Sequence, residues 1–366
     1  MMSKNKCILC IVSTPPPTGG ASQMNQNTIN ILGNNGFRII HINPKYAKET
    51  SDRETVQFRK VLELVKIFCK TFFYLTFYKI DKVYYGLSSN SHAFIKDFII
   101  LSVPIIFKNK IVIHLHLSNL PEFYSVSNDI IKIMIRFIVR KTNVFIACSD
   151  NLKNKFSHII PKEKMFAIEN GIASLDNNIN RHFDKDKIVC LYLGILIKSK
   201  GYPIVIEAAK YISEKNIIFY IVGPPGNDFD ENETRKFIKE NGLEEKVFLL
   251  GPKYGLEKGK IFLESDIFVF PTAFGPEAFP LVLLEAMSFG LNIISTKTGA
   301  IPECIKEDHN GFLIDKIDPR EIASKIIYLN KHRQKMKEIS LNNIKSFNAK
   351  YSIEQYEQNI LKVFIQ

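Results

Sequence analysis

Short apolar runs alternate with longer stretches of helical periodicity along almost the whole 366-residue chain. Strand-length runs fall at Cys7–Ser13, Arg38–Asn43, Lys82–Tyr85, Ile111–His116 and Val144–Ser149. A second set follows at Ile188–Gly194, Ile217–Val222, Val247–Leu250, Ile267–Phe270 and Asn292–Ser295. Strands separated by helices pair in parallel, and a parallel sheet needs helices on both faces. Each set of about five strands suffices for one doubly wound domain. The pattern therefore predicts an α/β chain of two Rossmann-like domains facing a central cleft. Ligands in such folds bind at the carboxyl ends of the strands, where loops converge.

Asn170-Gly171 is a turn signal, and the polar stretch Ser174–Lys187 after it has no apolar periodicity, which marks a linker. The expected division is a first domain over residues 1–183, a second over 184–348, and a terminal segment over 349–366. That segment reads as an amphipathic helix, with Ile353, Tyr356, Ile360 and Phe364 near one face. A helix appended after a complete second domain is placed to pack back on the first. No internal repeat or low-complexity tract interrupts this plan.

Hydrophobic residues at 46% and charged residues at 23% exclude a disordered tail, a collagen-like rod and a small disulfide scaffold. The charge is lopsided. Of 49 basic and 37 acidic side chains, 24 and 12 lie in residues 1–183, so that half carries the whole +12 and the rest is neutral. The six cysteines lack framework spacing and sit mostly in apolar runs, as buried thiols of a reducing compartment do. Cys7 and Cys10 form a CxxC, a redox or metal cue, but on a strand residues three apart face opposite sides. Buried core is the stronger reading there. The apolar stretches Phe98–Phe107 and Thr71–Phe77 fall short of the ~20 residues of a membrane span. Lys4 and Lys6 precede a short apolar run that Pro15-Pro16-Pro17 ends too early for a signal peptide. A cytoplasmic protein is expected, with attachment to a membrane surface left open.

Four loops after strands carry chemistry. The first runs Phe270-Pro-Thr-Ala-Phe-Gly-Pro-Glu277-Ala-Phe-Pro-Leu-Val-Leu-Leu-Glu285, with a helix expected from near Pro280 to Gly290. The free amides of its first turn, around Phe279, Pro280 and Leu281, and the helix dipole suit a diphosphate. Carboxylates beside such a pocket repel the anion, so Glu277 and Glu285 are expected to accept hydrogen bonds from ligand hydroxyls. A nucleotide sugar offers these on both ribose and sugar. The second loop, Gly194-Ile-Leu-Ile-Lys198-Ser-Lys200-Gly201, brings lysines that can offset a diphosphate's charge as it departs. The third, around Gly19-Gly20, permits close backbone approach, but it is not GxGxxG and no acidic residue follows at the right distance. The fourth holds His114 and His116 at a strand end, suited to hydrogen bonding or acid–base work near pH 7. Zinc is the rival there, but no third ligand lies at a sensible spacing. Asp184-Lys-Asp186 and Asp228-Phe-Asp230 read as solvated acids rather than a metal–nucleotide site.

With these loops placed, the chain resembles a retaining GT-B glycosyltransferase of the family-4 group (glycosyl transferases group 1), most strongly over residues 188–330. Glu277 and Glu285, with seven residues between them, match that group's E-x7-E signature. Gly194 to Gly201 is similar to its diphosphate loop, although Ile195 stands where the family usually has Arg. Thr298-Gly-Ala-Ile-Pro-Glu303 is similar to its later G-x-x-E segment, and Asn170-Gly171 to the N-G before its linker. The resemblance implies transfer of a hexosyl-type sugar from a nucleotide-diphosphate sugar, UDP being the commoner carrier, with retention and no required metal or other cofactor. Lys200, Lys198, Gly19, Gly20 and the helix amides would hold the diphosphate, and Glu285 the ribose. Glu277 and His116 would orient the donor sugar. A glycan or lipid-linked acceptor in lipopolysaccharide, capsule or exopolysaccharide synthesis is the expected setting.

The charge then belongs to the acceptor half. Within it, Gln57–Tyr78 mixes Arg59, Lys60, Lys66 and Lys70 with Phe68, Phe72, Phe73 and Tyr74. Such a helix suits an anionic leaflet at the inner face of the cytoplasmic membrane, against the plainer reading of a solvated helix with an apolar core face. A basic nucleic-acid-binding module is the rival from another class, but no nucleic-acid motif appears and none is expected as a partner. A non-hydrolysing sugar-nucleotide epimerase shares the fold, and a nicotinamide dehydrogenase lacks its fingerprint.

Overall fold

The structure, a computed structural model, describes residues 6–16, 19–45, 53–174, 181, 183 and 186–365, the side chains of 53–58 excepted. Lys4, Pro17, Asp184 and residues 175–180, 182 and 185 of the expected linker lie outside the described residues. The chain divides into two compact units, Met1–Asn170 with Tyr356–Gln366, and Gly171–Gln355.

The first unit runs β1 (Cys7–Ile11), α1 (Gly20–Asn34), β2 (Arg38–Ile42), α2 (Arg53–Phe77), β3 (Lys82–Gly86), α3 (Ser91–Ile106) and β4 (Lys110–Leu115). It continues through α4 (Leu120–Val126), α5 (Asp129–Lys141), β5 (Val144–Ala147), α6 (Asp150–Phe156) and β6 (Met165–Ala167). Its six strands lie in the order β2-β1-β3-β4-β5-β6, all parallel. Every residue of β1 is buried, because helices cover the sheet on both faces. Cys7 and Cys10 are free thiols within that core, and burial raises both. Cys69 is the exposed exception among the cysteines.

The second unit runs β7 (Ile188–Leu193), α7 (Tyr202–Ala208), β8 (Ile217–Val222), α8 (Glu231–Glu240), β9 (Val247–Gly251), α9 (Gly255–Glu264) and β10 (Ile267–Phe270). Then come α10 (Leu281–Ser288), β11 (Asn292–Thr296), α11 (Ile301–Cys304), β12 (Gly311–Ile314), α12 (Pro319–Lys331) and α13 (Arg333–Ser346). The strands are again parallel, in the order β12-β11-β10-β7-β8-β9. This is the doubly wound order in which the chain leaves β7 toward one edge and returns at β10 to build the other. The two six-stranded Rossmann-like units make this a GT-B fold.

The terminal helix α14 (Ile353–Ile365) buries Tyr356, Ile360, Val363 and Phe364. From Tyr356 onward it belongs to the first unit. Tyr356 Oη lies 2.6 Å from Thr28 Oγ1 on α1. Lys82 Nζ donates to the carbonyls of Val363 and Phe364 at 3.0 Å each, closing the helix C-terminus. Burial brings that lysine down to about 8.

The division between units falls at residue 170/171 rather than at 183/184. Two anchors explain the shift. Ile172 N–H already donates to Tyr351 O at 3.0 Å inside the second unit. Arg181, expected in a solvated linker, is instead buried there. Its guanidinium donates to Ser265 O at 2.5 Å, to Phe262 O at 2.8 Å and to Phe289 O, with Asp266 Oδ1 at 4.0 Å. One cation thus closes the carbonyl ends of α9 and α10. Replacing it removes a donor from each of those carbonyls and a cation from beside the buried Asp266 carboxylate, which also accepts Val189 N–H at 2.9 Å. Arg181→Ala should cost about 3 kcal/mol, read as a lower denaturant midpoint at unchanged m-value.

Candidate functional site

In a doubly wound sheet the loops separate where strand order reverses, leaving a crevice at the carboxyl ends. In the second unit that point lies between β7 and β10, and the two most informative loops of the sequence leave from these strands. They are locked together by a close approach. Gly201 adopts φ +88°, and a Cβ there would lie 2.4 Å from Pro271 O. Beside it Ala273 N–H donates to Ser199 O at 2.7 Å.

This lock sets Lys200 against Glu277: Nζ lies 3.0 Å from Oε2, both side chains largely buried. The ammonium also lies 5.8 and 5.3 Å from the ring centroids of Phe270 and Phe274. Gly299 backs the pair from the loop after β11. It adopts φ +56°, and a Cβ there would lie 2.4 Å from Glu277 O. Next to it Ala300 N–H donates to Ala278 O at 2.7 Å. Glu285, one helix further on, pairs with Lys258 of α9 at 2.5 Å. Each carboxylate of the E-x7-E pair therefore has its own lysine, which removes the repulsion expected for acids beside an anion pocket. Lys258 carries no sequence signal, being separated from Glu285 by 27 positions.

Other expectations are corrected. Pro280 caps α10 from an extended backbone (φ −70°, ψ 118°) rather than opening its first turn, and as an imino acid it has no N–H to give a phosphate. Phe279 turns its ring into the core, edge-on to Tyr351 at 5.8 Å. Leu283 N–H is taken by Pro280 O, so the outward amides of this turn are those of Leu281 and Val282. Lys198 is exposed, and its backbone N–H is held by both oxygens of Asp228 at 3.1 and 3.2 Å. Asp230 accepts Glu233 N–H at 3.0 Å as the cap of α8. The Asp228-Phe-Asp230 acids are thus bound to local amides rather than simply solvated. Ile195, in the place of the family's Arg, is 45% exposed.

In the first unit Gly19 caps α1 from an extended backbone that any residue adopts, and a Cβ there meets nothing nearer than Ser22 Oγ at 3.8 Å. Its N–H and carbonyl are both committed to Ser22, and Gly20 begins the helix. Nothing in this backbone demands a glycine at position 19. The histidines do share one face of β4, with ring centroids 3.9 Å apart. His116 Nε2 lies 2.9 Å from Asn25 Oδ1, and His114 Nδ1 2.9 Å from Tyr84 Oη. The absence of a third metal ligand is overturned: Cys148, which follows β5, brings its thiol within 4.8 Å of a nitrogen on each ring. It escapes notice in the sequence because register, not spacing, makes it a neighbour of His116.

Burial drives His116 down to about 4 and His114 well below its ordinary 6.5, with His116 adding to the effect on His114. Both rings are neutral in the fold and charge on unfolding below pH 6.5. Their contribution is complete above that pH and is lost as pH falls toward 4, by about 3 kcal/mol for His116. Unfolding measured from pH 7 to 4 should show this decline, and His116→Gln should flatten it.

Residues 176–346 match the family model described as glycosyl transferases group 1. The chain is 30% identical over 139 residues to the putative colanic acid biosynthesis glycosyltransferase WcaL of Escherichia coli, covering 36% of this chain and 33% of that protein. It is 30% identical over 219 residues to the capsular polysaccharide biosynthesis glycosyltransferase CapM of Staphylococcus aureus, covering 53% and 55%. The matched region thus spans between a third and little more than half of these relatives. Anabaena Alr3699/HepE, solved in complex with UDP, superposes with a TM-score of 0.74 at 18% identity, over 98% of this chain and 99% of that one. At that identity the likeness is one of fold.

Proposed function

We propose that the chain, whose residues 176–346 match the model of the glycosyl transferases group 1 family, is a glycosyltransferase of surface-polysaccharide synthesis. It moves a hexosyl unit from a nucleoside-diphosphate sugar to a glycan or lipid-linked glycan, with retention. The observation that carries this is the Lys200–Glu277 pair at the reversal point of the second sheet, 3.0 Å apart with Glu285 on the adjoining helix. HepE, of the same fold, was also crystallised with UDP-glucose, which supports UDP as carrier.

Lys200 and the amides of Leu281 and Val282 meet the diphosphate, and Lys198 is the second cation in reach of the same loop. As the bond to the sugar breaks, charge grows on the leaving phosphate, and a lysine already desolvated by two rings stabilises that charge more than water does. Glu277 keeps Oε1 for a sugar hydroxyl while Oε2 holds Lys200. Glu285 accepts from the ribose. In the first unit the same reading gives His116 the donor sugar and Gly19-Gly20 the phosphates. No carboxylate serves as nucleophile. The acceptor hydroxyl attacks from the face the phosphate leaves, and that phosphate takes its proton. The charge is met by lysines and amides, so transfer needs no divalent ion.

Glu277→Gln keeps the volume and loses the charge. Nucleotide release with a panel of sugar nucleotides and a glycan acceptor should fall at least about a hundredfold, with the unfolding midpoint little changed. Wild-type turnover in that variant would overturn the reading. Isomerised nucleotide sugar in the absence of acceptor would identify an epimerase instead.

The acceptor side includes a membrane surface. Helix α2 turns only a narrow stripe inward, Ile67, Thr71 and Leu75, and leaves Phe72, Phe73 and Phe77 49–70% exposed. Phe72 packs edge-on to Phe107 beyond α3 at 5.5 Å. On α5, Ile130 and Ile133 are 70% and 62% exposed. Lys66, Lys70, Arg136 and Arg140 are exposed on the same helices. Exposed apolar side chains and cations on the same helices fit an anionic leaflet, at roughly 1 kcal/mol per nearby Lys or Arg. No helix among the described residues is long and apolar enough to cross a membrane. The chain should sediment with anionic but not neutral vesicles, less so at high salt, and Phe73→Ser/Phe77→Ser should weaken that binding.

A further inference from the structure

Beyond His116, transfer chemistry does not explain the polar cluster beneath α1. Its hydrogen bonds assign the ring tautomers. Tyr84 Oη donates to Asn25 Oδ1 at 3.1 Å. Having spent its one proton there, it accepts from His114 Nδ1–H at 2.9 Å. Asn25 Nδ2 is committed to Ser13 O at 3.0 Å, so Oδ1 is the atom facing His116 and accepts from its Nε2–H at 2.9 Å. Each imidazole is therefore neutral and retains one lone pair, on Nε2 of His114 and Nδ1 of His116. His114 is fully buried, and its Nε2 has no hydrogen-bond partner. A buried acceptor left unmatched costs free energy that a ligand would recover. A ring nitrogen of each histidine and Cys148 Sγ lie within 4.8 Å of one another.

We propose that His114, His116 and Cys148 form a binding site for one soft d10 metal cation of the Zn(II) or Cu(I) type. Two imidazoles and a thiolate, without carboxylate or carbonyl oxygen, suit these ions and not Mg(II) or Ca(II). The outer partners match what such sites require. Each ring gives its other N–H to an oxygen, Asn25 Oδ1 or Tyr84 Oη, which holds the ring in place and directs its lone pair. Binding converts the Cys148 thiol, which now bonds Leu115 O at 3.3 Å, into a metal-bound thiolate, and its proton leaves to solvent. His116 is the partly exposed member and so the point of entry. The proposal stands apart from the transfer reading except that both use His116, so its test reads metal rather than turnover.

The full chain carrying Cys69→Ser, which removes the exposed thiol, would be loaded anaerobically with Zn(II) or Cu(I), desalted and assayed for bound metal. One equivalent of at least one of these ions is expected, and Co(II) substitution should give a thiolate-to-cobalt charge-transfer band. Cys148→Ser should abolish the band and the uptake. Tyr84→Phe, which keeps all three ligands, should weaken binding roughly tenfold or more. Circular dichroism of each variant would separate loss of ligand from loss of fold. Uptake of neither ion by the Cys69→Ser chain, or unchanged uptake in folded Cys148→Ser, would overturn the proposal.

Discussion

Parallel pairing cannot be closed by a two-residue turn, so each strand must be followed by a helix that carries the chain back across the sheet. All strands then end at the same edge, and every loop capable of chemistry gathers there. Both units obey this constraint, with six parallel strands each. Where the winding reverses, between β7 and β10, two loops cannot be bridged by a crossover and must be joined by other means. The join is backbone on backbone, Gly201 against Pro271 and Ala273 against Ser199. It is tight enough that only a glycine with positive φ fits. Lys200 and Glu277 inherit their 3.0 Å separation from this join.

Charge compensation follows from that placement. A lone carboxylate next to a diphosphate would oppose binding, and a lone lysine in a half-buried pocket would pay for its desolvation. Paired, they cancel each other's penalty and remain polar enough to be recruited by a ligand. The Glu285–Lys258 pair repeats the device one helix away. Removing one member of either pair therefore changes more than one contact, because the survivor is left charged and unpartnered. A volume-preserving substitution is more informative there than a truncation.

Most of the fold could be read from the sequence because buried parallel strands are written as unbroken apolar runs. Ile217–Val222 and Ile267–Phe270 coincide with their observed limits. The strands that escaped notice, Met165–Ala167 and Gly311–Ile314, are sheet-edge strands of three and four residues, too short to show a period. The polar stretch around Arg181 misleads because a cation among polar neighbours looks solvated, whereas here it serves main-chain carbonyls that sequence does not display. Glu277, Glu285 and Lys200 stand out through their loop context. Lys258 and Cys148 do not, since each reaches its partner through the fold and not through local spacing.

The polar cluster in the first unit poses a different problem from the paired charges in the second. Glu277 and Glu285 in the second unit each hold a lysine, and no atom of those two pairs is buried without a partner among the described residues. Under α1, by contrast, Asn25 and Tyr84 saturate one side of each imidazole and leave the other side of His114 facing protein with no partner. Two neutral histidines tilted by 33° with centroids 3.9 Å apart gain little from each other, and an aliphatic pair would pack there without the orphaned nitrogen. What a pair of imidazoles beside a thiol supplies that an aliphatic core does not is a set of ligand atoms, a nitrogen of each ring and the Cys148 sulfur, within 4.8 Å of one another. On the metal-site proposal, the cost of keeping them desolvated is recovered when a cation binds.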